Sequence, residues 1–324
     1  MPAVSTADLI ARARANGTAI AAFNVITLEH AQAIAAAAER VQQPAILQIS
    51  QNAVHYHCGC LHAIAAGTVE VARRSAAHLA LHLDHAQDID LVRQAASAGF
   101  SSVMFDAGAL PLEENVAATR AAVRVARADR LFVEAELGHV GGKDEIVRSA
   151  HDAGVRTDPG KAGRFVAETG VDALAVAVGT SHAMTQRSAA LDHDLIHALR
   201  EAVPVPLVLH GSSGLPDAEL RGAVAAGIVK INIGTVLNIA FTTAVRAALA
   251  EPMLTDPRKY LAPARDAMAD VVAELLTVIA TTPARSGQPA ASRHDAANAQ
   301  IVAENDEIRI LADLDGSASR GYAQ

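Results

Sequence analysis

The chain has 324 residues, 51% of them hydrophobic and 3% aromatic, with no Trp and a formal net charge of −8. That length suits one large α/β domain with a core of Ala, Val, Leu and Ile. An acidic balance without a Lys/Arg run argues against nucleic acid as the main partner. No stretch reaches the roughly 18 uninterrupted apolar residues of a membrane helix, and the first 20 residues lack the order of a secretory signal. The two cysteines, Cys58 and Cys60, lie too close together to staple a fold. A cytoplasmic location is expected.

Eight short apolar runs read as strands in chain order. They span 19–25, 45–50, 79–85, 101–107, 131–137, 173–179, 206–211 and 228–234. Between them lie Ala-rich amphipathic stretches such as LEHAQAIAAAAERV, ATRAAVRVARA and DAELRGAVAAG, which have the helical period. A strand followed by a helix, eight times over, predicts a TIM (β/α)8 barrel with C-terminal helices over 1–280. No GxGxxG turn follows the first run, which counts against an open dinucleotide-binding sheet. The long connection 138–158 is polar and glycine-bearing, a candidate lid. The tail 281–324 begins rich in Pro, Ser, Gly and Ala and is expected to be disordered or partly helical.

Polar residues collect at the C-terminal ends of the runs: Asn24, Ser50, Asp84, His85, Asp106, Glu136, His210 and Asn232, with His182 three residues past the sixth. That rim is where β/α barrels build active sites. His85, His182 and His210 would each bring a neutral imidazole to the mouth. Three protein ligands and an open fourth position are the pattern of a catalytic zinc; three unrelated mouth residues are the bland alternative. A rival cluster in HYHCGCLH (His55, His57, Cys58, Cys60 and His62) lacks the two-residue Cys spacer of a zinc knuckle and reads as a loop over the mouth.

Neighbours on a strand face opposite ways, so Asp84 and His85 can serve one site only where their strand turns. Asp84 either orients a histidine or acts as an acid/base. Glu134 alternates with Glu136 and shares its direction. The segments GSSG (211–214) and NIGT (232–235) follow strands seven and eight, where barrels bind phosphate. Their small residues let N–H groups converge on an anion, and Ser212, Ser213 and Thr235 add hydroxyls.

Taken in order, LHLDHAQD, VEAELGHVGG, VAVGTSHA, PLVLHGSSG and VKINIGT resemble the blocks of the class II, metal-dependent ketose-bisphosphate aldolases, from about residue 5 to about 280. The resemblance implies a lyase that reversibly cleaves fructose 1,6-bisphosphate to dihydroxyacetone phosphate and glyceraldehyde 3-phosphate. Tagatose 1,6-bisphosphate or another phosphorylated ketose is the alternative. It implies that Asp84 is the acid/base at the C4 oxygen and that His85, His182 and His210 hold one catalytic Zn²⁺. Asp106 and Glu136 match a second or alternative divalent position. Residues Gly211, Ser212, Ser213, Asn232, Ile233, Gly234 and Thr235 match the grip on the triose phosphate, where a monovalent cation often assists. Asn24, Ser50 and Ala183 complete the implied substrate pocket, and a homodimer or homotetramer is implied as well. Because zinc replaces the Schiff-base lysine of the metal-free class, Lys230 is not expected in that role.

The sequence also departs from the family. Ala183 stands where relatives carry Gly, and Gly234 stands where many fructose enzymes carry an acid or amide. The loop GGKDEI has Lys143 and Asp144 where relatives carry Glu, leaving Asp144 or Glu145 to move a proton. The block that supplies an arginine to the distal phosphate is not recognisable, leaving only Arg285 as a candidate. Two readings of other classes stand beside the aldolase. One is a non-catalytic barrel subunit stabilising a partner aldolase, against which the retention of Asp84 with three histidines argues. The other is a metal-assisted isomerase or hydrolase on the same barrel.

Overall fold

The structure is a computed structural model and describes residues 4–138, 156–180 and 184–280. The expectations for Lys143, Asp144 and Glu145, for His182 and Ala183, for Arg285 and for the tail from 281 lie outside these described residues. Eight parallel strands close into a barrel in sequence order: β1 (Ile20–Asn24), β2 (Ala45–Ser50), β3 (Leu79–Ala86), β4 (Ser102–Phe105), β5 (Phe132–Leu137), β6 (Ala173–Val176), β7 (Leu207–Leu209) and β8 (Ile228–Ile233). Helix α1 (Thr6–Ala15) precedes them. Around the outside run α2 (Leu28–Val41), α3 (Gln51–Tyr56), α4 (Leu61–Arg74), α5 (Ile89–Ala95), α6 (Leu112–Ala128), α7 (Pro159–Thr169), α8 (His193–Ala202), α9 (Asp217–Ala226), α10 (Thr235–Ala248) and α11 (Pro257–Ala280). The chain is therefore a TIM barrel.

Most strands stop short of the apolar runs that announce them. The run 206–211 keeps only Leu207–Leu209 in the ladder, and 101–107 keeps Ser102–Phe105. The residues left over, such as Asp106 and His210, have stepped off the ladder onto the rim. The HYHCGCLH segment is not one loop. His55 lies in the last turn of α3, Cys58 and Gly59 turn with φ of 58° and 73°, and Cys60 is the N-cap of α4.

Strand alternation sorts the residues into two cores. One face packs against the surrounding helices through Phe23, Leu47, Leu81, Val103, Val133 and their neighbours. The opposite face fills the barrel. At its N-terminal end Ile20, Ala22, Ile46, Ala80 and Val229 pack against Leu9, Ile10 and Ala13 of α1, which plugs the floor. Ser5 caps that helix by accepting from the Ala7 N–H. Above the floor the filling changes from apolar to charged, with His82, Glu134 and Lys230 all wholly buried. The mouth lies above this charged layer.

Candidate active site

The first local feature of the mouth is a bulge in β3. Its partner β4 advances two residues, from Val103 to Phe105, while β3 advances three, from Leu83 to Ala86. The extra residue is absorbed by His85, whose φ of 48° is left-handed and unusual for a non-glycine side chain. Two neighbours that a regular strand would point apart are thereby brought to one place. One oxygen of Asp84 and one nitrogen each of His85 and His210 lie within 4.8 Å of one another, all three residues buried. The His85 and His210 rings meet edge to face at 5.0 Å. Among the described residues this is the one such group, so the His/Cys segment around Cys58 forms none.

Carboxylates stand behind each imidazole. Asp106 Oδ2 lies 2.8 Å from His85 Nδ1, and Glu134 Oε1 lies 3.0 Å from His210 Nε2. Glu136 Oε2 stands 3.0 Å from His210 Nδ1, on the other side of the same ring. Thus Asp106 and Glu136 abut the histidines and are not themselves members of the three-residue group. A carboxylate on one ring nitrogen fixes the orientation and tautomer with which the other faces a cation. Thr180 Oγ1, in the segment after β6, donates to the His210 carbonyl at 2.7 Å and pins its backbone.

The electrostatics follow from burial and neighbours. Burial alone would push the His210 imidazolium down, but the hydrogen bond to Glu134 and the closeness of Glu136 raise it to about 9. Burial likewise opposes ionisation of Asp84, yet the positive field of His85, His210 and Lys230 holds its carboxyl below the ordinary value. Asp84 Oδ1 also accepts from Asn232 Nδ2 at 3.4 Å. The metal-free site thus keeps one proton on an imidazole between two carboxylates, where an incoming cation would supply the same charge.

Beside this group opens a cavity of about 220 Å³. Of the expected residues its lining includes Asn24, Ser50, Asp84, His85, Gly211, Ser212, Ser213, Asn232, Ile233, Gly234 and Thr235. His210 and Glu136 are not part of the lining; His210 is fully buried beside it. Gly211 adopts a left-handed φ of 67°, which turns the chain from β7 into the short Ser212–Gly214 helix. The N–H groups of Gly234 and Val236 converge on Ser213 Oγ at 3.3 Å each. The two phosphate-type segments therefore form one cradle at the N-terminus of α10. Ser50 also caps α3 by accepting from the Ala53 N–H.

Gln48, Gln51, Asn52, Gln87 and Asn238 line the cavity without having been singled out from the sequence. Gln48 was legible in principle, because it lies two residues before Ser50 on β2 and so shares its face. Its Nε2 donates to Asn24 Oδ1. Gln48 Oε1 and Asn232 Oδ1 are buried acceptors without a hydrogen-bond partner among the described residues. Gly234 is small for a visible reason, since a Cβ there would stand 2.8 Å from Asn24 Nδ2. Lys230 does not line the cavity; it is wholly buried and 2.7 Å from Glu134 Oε2.

Residues 4–283 match the family described as class-II fructose-bisphosphate aldolase. Among solved structures, the chain is 30% identical to the YdjI aldolase from Escherichia coli K12, covering 87% of this chain and 99% of that one with a TM-score of 0.73. A Coccidioides immitis protein assigned as a fructose-1,6-biphosphate aldolase is also 30% identical, with 86% and 96% covered and a TM-score of 0.76. The fructose-bisphosphate aldolase of Campylobacter jejuni shares the fold at 23% identity, with 88% and 97% covered and a TM-score of 0.72.

Proposed function

The chain belongs to the class II fructose-bisphosphate aldolases, and from that membership we propose that this lyase is zinc-dependent and acts on fructose 1,6-bisphosphate. The convergence of Asp84, His85 and His210 on one point, each imidazole backed by a carboxylate, carries the reading. The donor set suits the metal. His85 and His210, with His182 as the third histidine the family resemblance implies, would give a borderline-soft ion three imidazole ligands and one open position, with Asp84 beside them as the acid/base.

Aldol cleavage leaves electrons on the carbon next to the ketone, and Zn²⁺ at this point would act as a Lewis acid that draws that charge toward the carbonyl oxygen. The remaining work falls to the chain. Asp84, ionised at neutral pH and steadied by the Asn232 amide, takes the proton from the C4 hydroxyl in cleavage and returns it in condensation. The cradle formed by Gly211–Ser213 and Gly234–Val236, at the positive end of the α10 dipole, holds the triose phosphate. Gln48 Oε1 and Asn232 Oδ1 offer acceptors to sugar hydroxyls. Asp106 and Glu136, each against a histidine of the site, would serve a second or alternative divalent position.

Gly234 favours a second reading of the acceptor. Where many fructose enzymes carry an acid or amide, here the Asn24 amide fills the space, so tagatose 1,6-bisphosphate or a related ketose phosphate becomes the alternative substrate. A panel of phosphorylated ketoses, assayed for dihydroxyacetone phosphate release with and without EDTA, tests both readings. Release from fructose 1,6-bisphosphate that EDTA abolishes supports the first. Release confined to another ketose selects the second, and none from any ketose rejects the aldolase assignment. A homodimer or homotetramer in the cytoplasm completes the proposal, and light scattering on the purified protein checks the assembly.

A further inference from the structure

A hydrogen-bonded chain of side chains runs through the barrel from its floor to its mouth. Thr6 of α1 accepts from Ser102 Oγ at 2.8 Å, Ser102 lies 2.8 Å from His82 Nδ1, and His82 Nε2 lies 3.4 Å from Lys230 Nζ. Lys230 Nζ donates to Glu134 Oε2 at 2.7 Å, and Glu134 Oε1 lies 3.0 Å from His210 Nε2. All six residues are wholly buried. None but His210 belongs to the three-residue group at the mouth.

The chemistry of the donors gives this chain a direction. A lysine ammonium has donors and no acceptor. Lys230 must therefore donate both to His82 Nε2 and to Glu134. His82 is left with its proton on Nδ1, facing Ser102, whose hydroxyl donates onward to Thr6. On the other side, Glu134 is tied as an acceptor at both oxygens, so it accepts from His210 Nε2–H. A neutral His210 then has its lone pair on Nδ1, the nitrogen that faces the rim and Glu136.

We propose that Lys230 is a positioning residue that, through Glu134, sets the tautomer of His210 and so selects Nδ1 as the atom offered to a divalent cation. This inference rests on the zinc reading above and adds the lysine to it. By its 2.7 Å hydrogen bond Lys230 holds a buried carboxylate aimed at one ring nitrogen, a task that suits a fixed cation where water does not reach. A strand-eight lysine in a lyase barrel invites a covalent role with the substrate carbonyl; here its nitrogen is committed to Glu134 beneath the mouth.

The test compares wild-type protein, Lys230→Met and Ile46→Ala, the last a truncation in the apolar floor that leaves the hydrogen-bonded chain intact. Zinc affinity is read by competition with a chromophoric chelator at fixed pH, and folding by circular dichroism and melting temperature. Lys230→Met should weaken zinc binding about 10- to 100-fold, the usual cost of removing a partner behind a metal ligand. Ile46→Ala should lower the melting temperature and keep affinity within about two-fold of wild type. Equal zinc affinity in Lys230→Met and wild type overturns the inference, as does an equal loss in Ile46→Ala. Should Lys230→Met fail to fold, nitrogen NMR of wild-type protein loaded with ¹¹³Cd decides instead. Coupling of the metal to His210 Nδ1, with a proton on Nε2, is the expected result; coupling to Nε2 overturns it. Wild-type protein that takes up neither zinc nor cadmium removes the zinc reading itself, an outcome distinct from the others.

Discussion

Asp84 shows how a side chain's role is set by what surrounds it. A buried carboxylate ordinarily resists ionisation, but two imidazoles and the ammonium below hold this one ionised. Proton transfer at a positioned side chain is worth about 10²- to 10⁴-fold in rate. Asp84→Ala should therefore retain zinc and the fold but lose at least ~10²-fold in turnover. Steady-state kinetics with zinc analysis on the same sample checks this, and turnover like that of the parent would remove the acid/base role. The pairing of Asp84 with His85 was legible as a puzzle in the sequence, because adjacent strand residues should diverge. Its solution, a bulge carried by a left-handed His85, was not, because no glycine or asparagine marks the position.

The secondary elements were the most legible part. Eight apolar runs became eight strands in order, and the helical periods at 28–41 and 217–227 became α2 and α9. The ends were harder to see, since apolar character continues through residues such as Val178 that leave the ladder yet stay buried. Long-range pairing was hidden altogether. Glu134 and Lys230 are 96 residues apart, and only barrel closure puts both in one layer. Helix α1 makes the same point, because nothing in its own sequence says that it plugs the floor. Leu9 and Ile10 are 4% and 1% exposed there. Ile10→Ala should cost roughly 2–5 kcal/mol of stability by lost burial and a residual cavity. Zinc content per folded molecule should be unchanged, the floor being a layer away from the mouth. Denaturant unfolding monitored by circular dichroism measures the cost, and a loss below ~1 kcal/mol would mean that the helix is dispensable to the barrel.

For the molecule as a whole, the buried ionisable groups predict how stability depends on pH. His82 is pushed down to about 3 by burial and by Lys230, so it is neutral in the fold but takes a proton when unfolded below about 6.5. Its contribution is present above that value and is lost as pH falls toward 3. Glu134, depressed because Lys230 and His210 outweigh burial, acts in the same direction at acid pH. His210 in the metal-free protein has the opposite sign. Raised to about 9, it stabilises fully below about 6.5, and that stabilisation is lost as pH rises toward 9. The metal-free protein should therefore show an acid limb and a separate alkaline limb. Zinc should remove the alkaline limb, because a bound imidazole nitrogen carries no proton to lose. Urea unfolding at intervals from pH 4 to pH 10, with and without zinc, reads both limbs; an alkaline limb that persists unchanged with zinc would place the metal elsewhere.

The most direct measurement is a zinc titration of the stripped protein, following dihydroxyacetone phosphate release from fructose 1,6-bisphosphate alongside metal content, for wild type and for His210→Ala. The expected result is no release without metal, full activity at one zinc per chain, and neither tight zinc binding nor activity in the variant. Undiminished release by zinc-free protein, or a His210→Ala variant that still binds one zinc and turns over normally, would contradict the account.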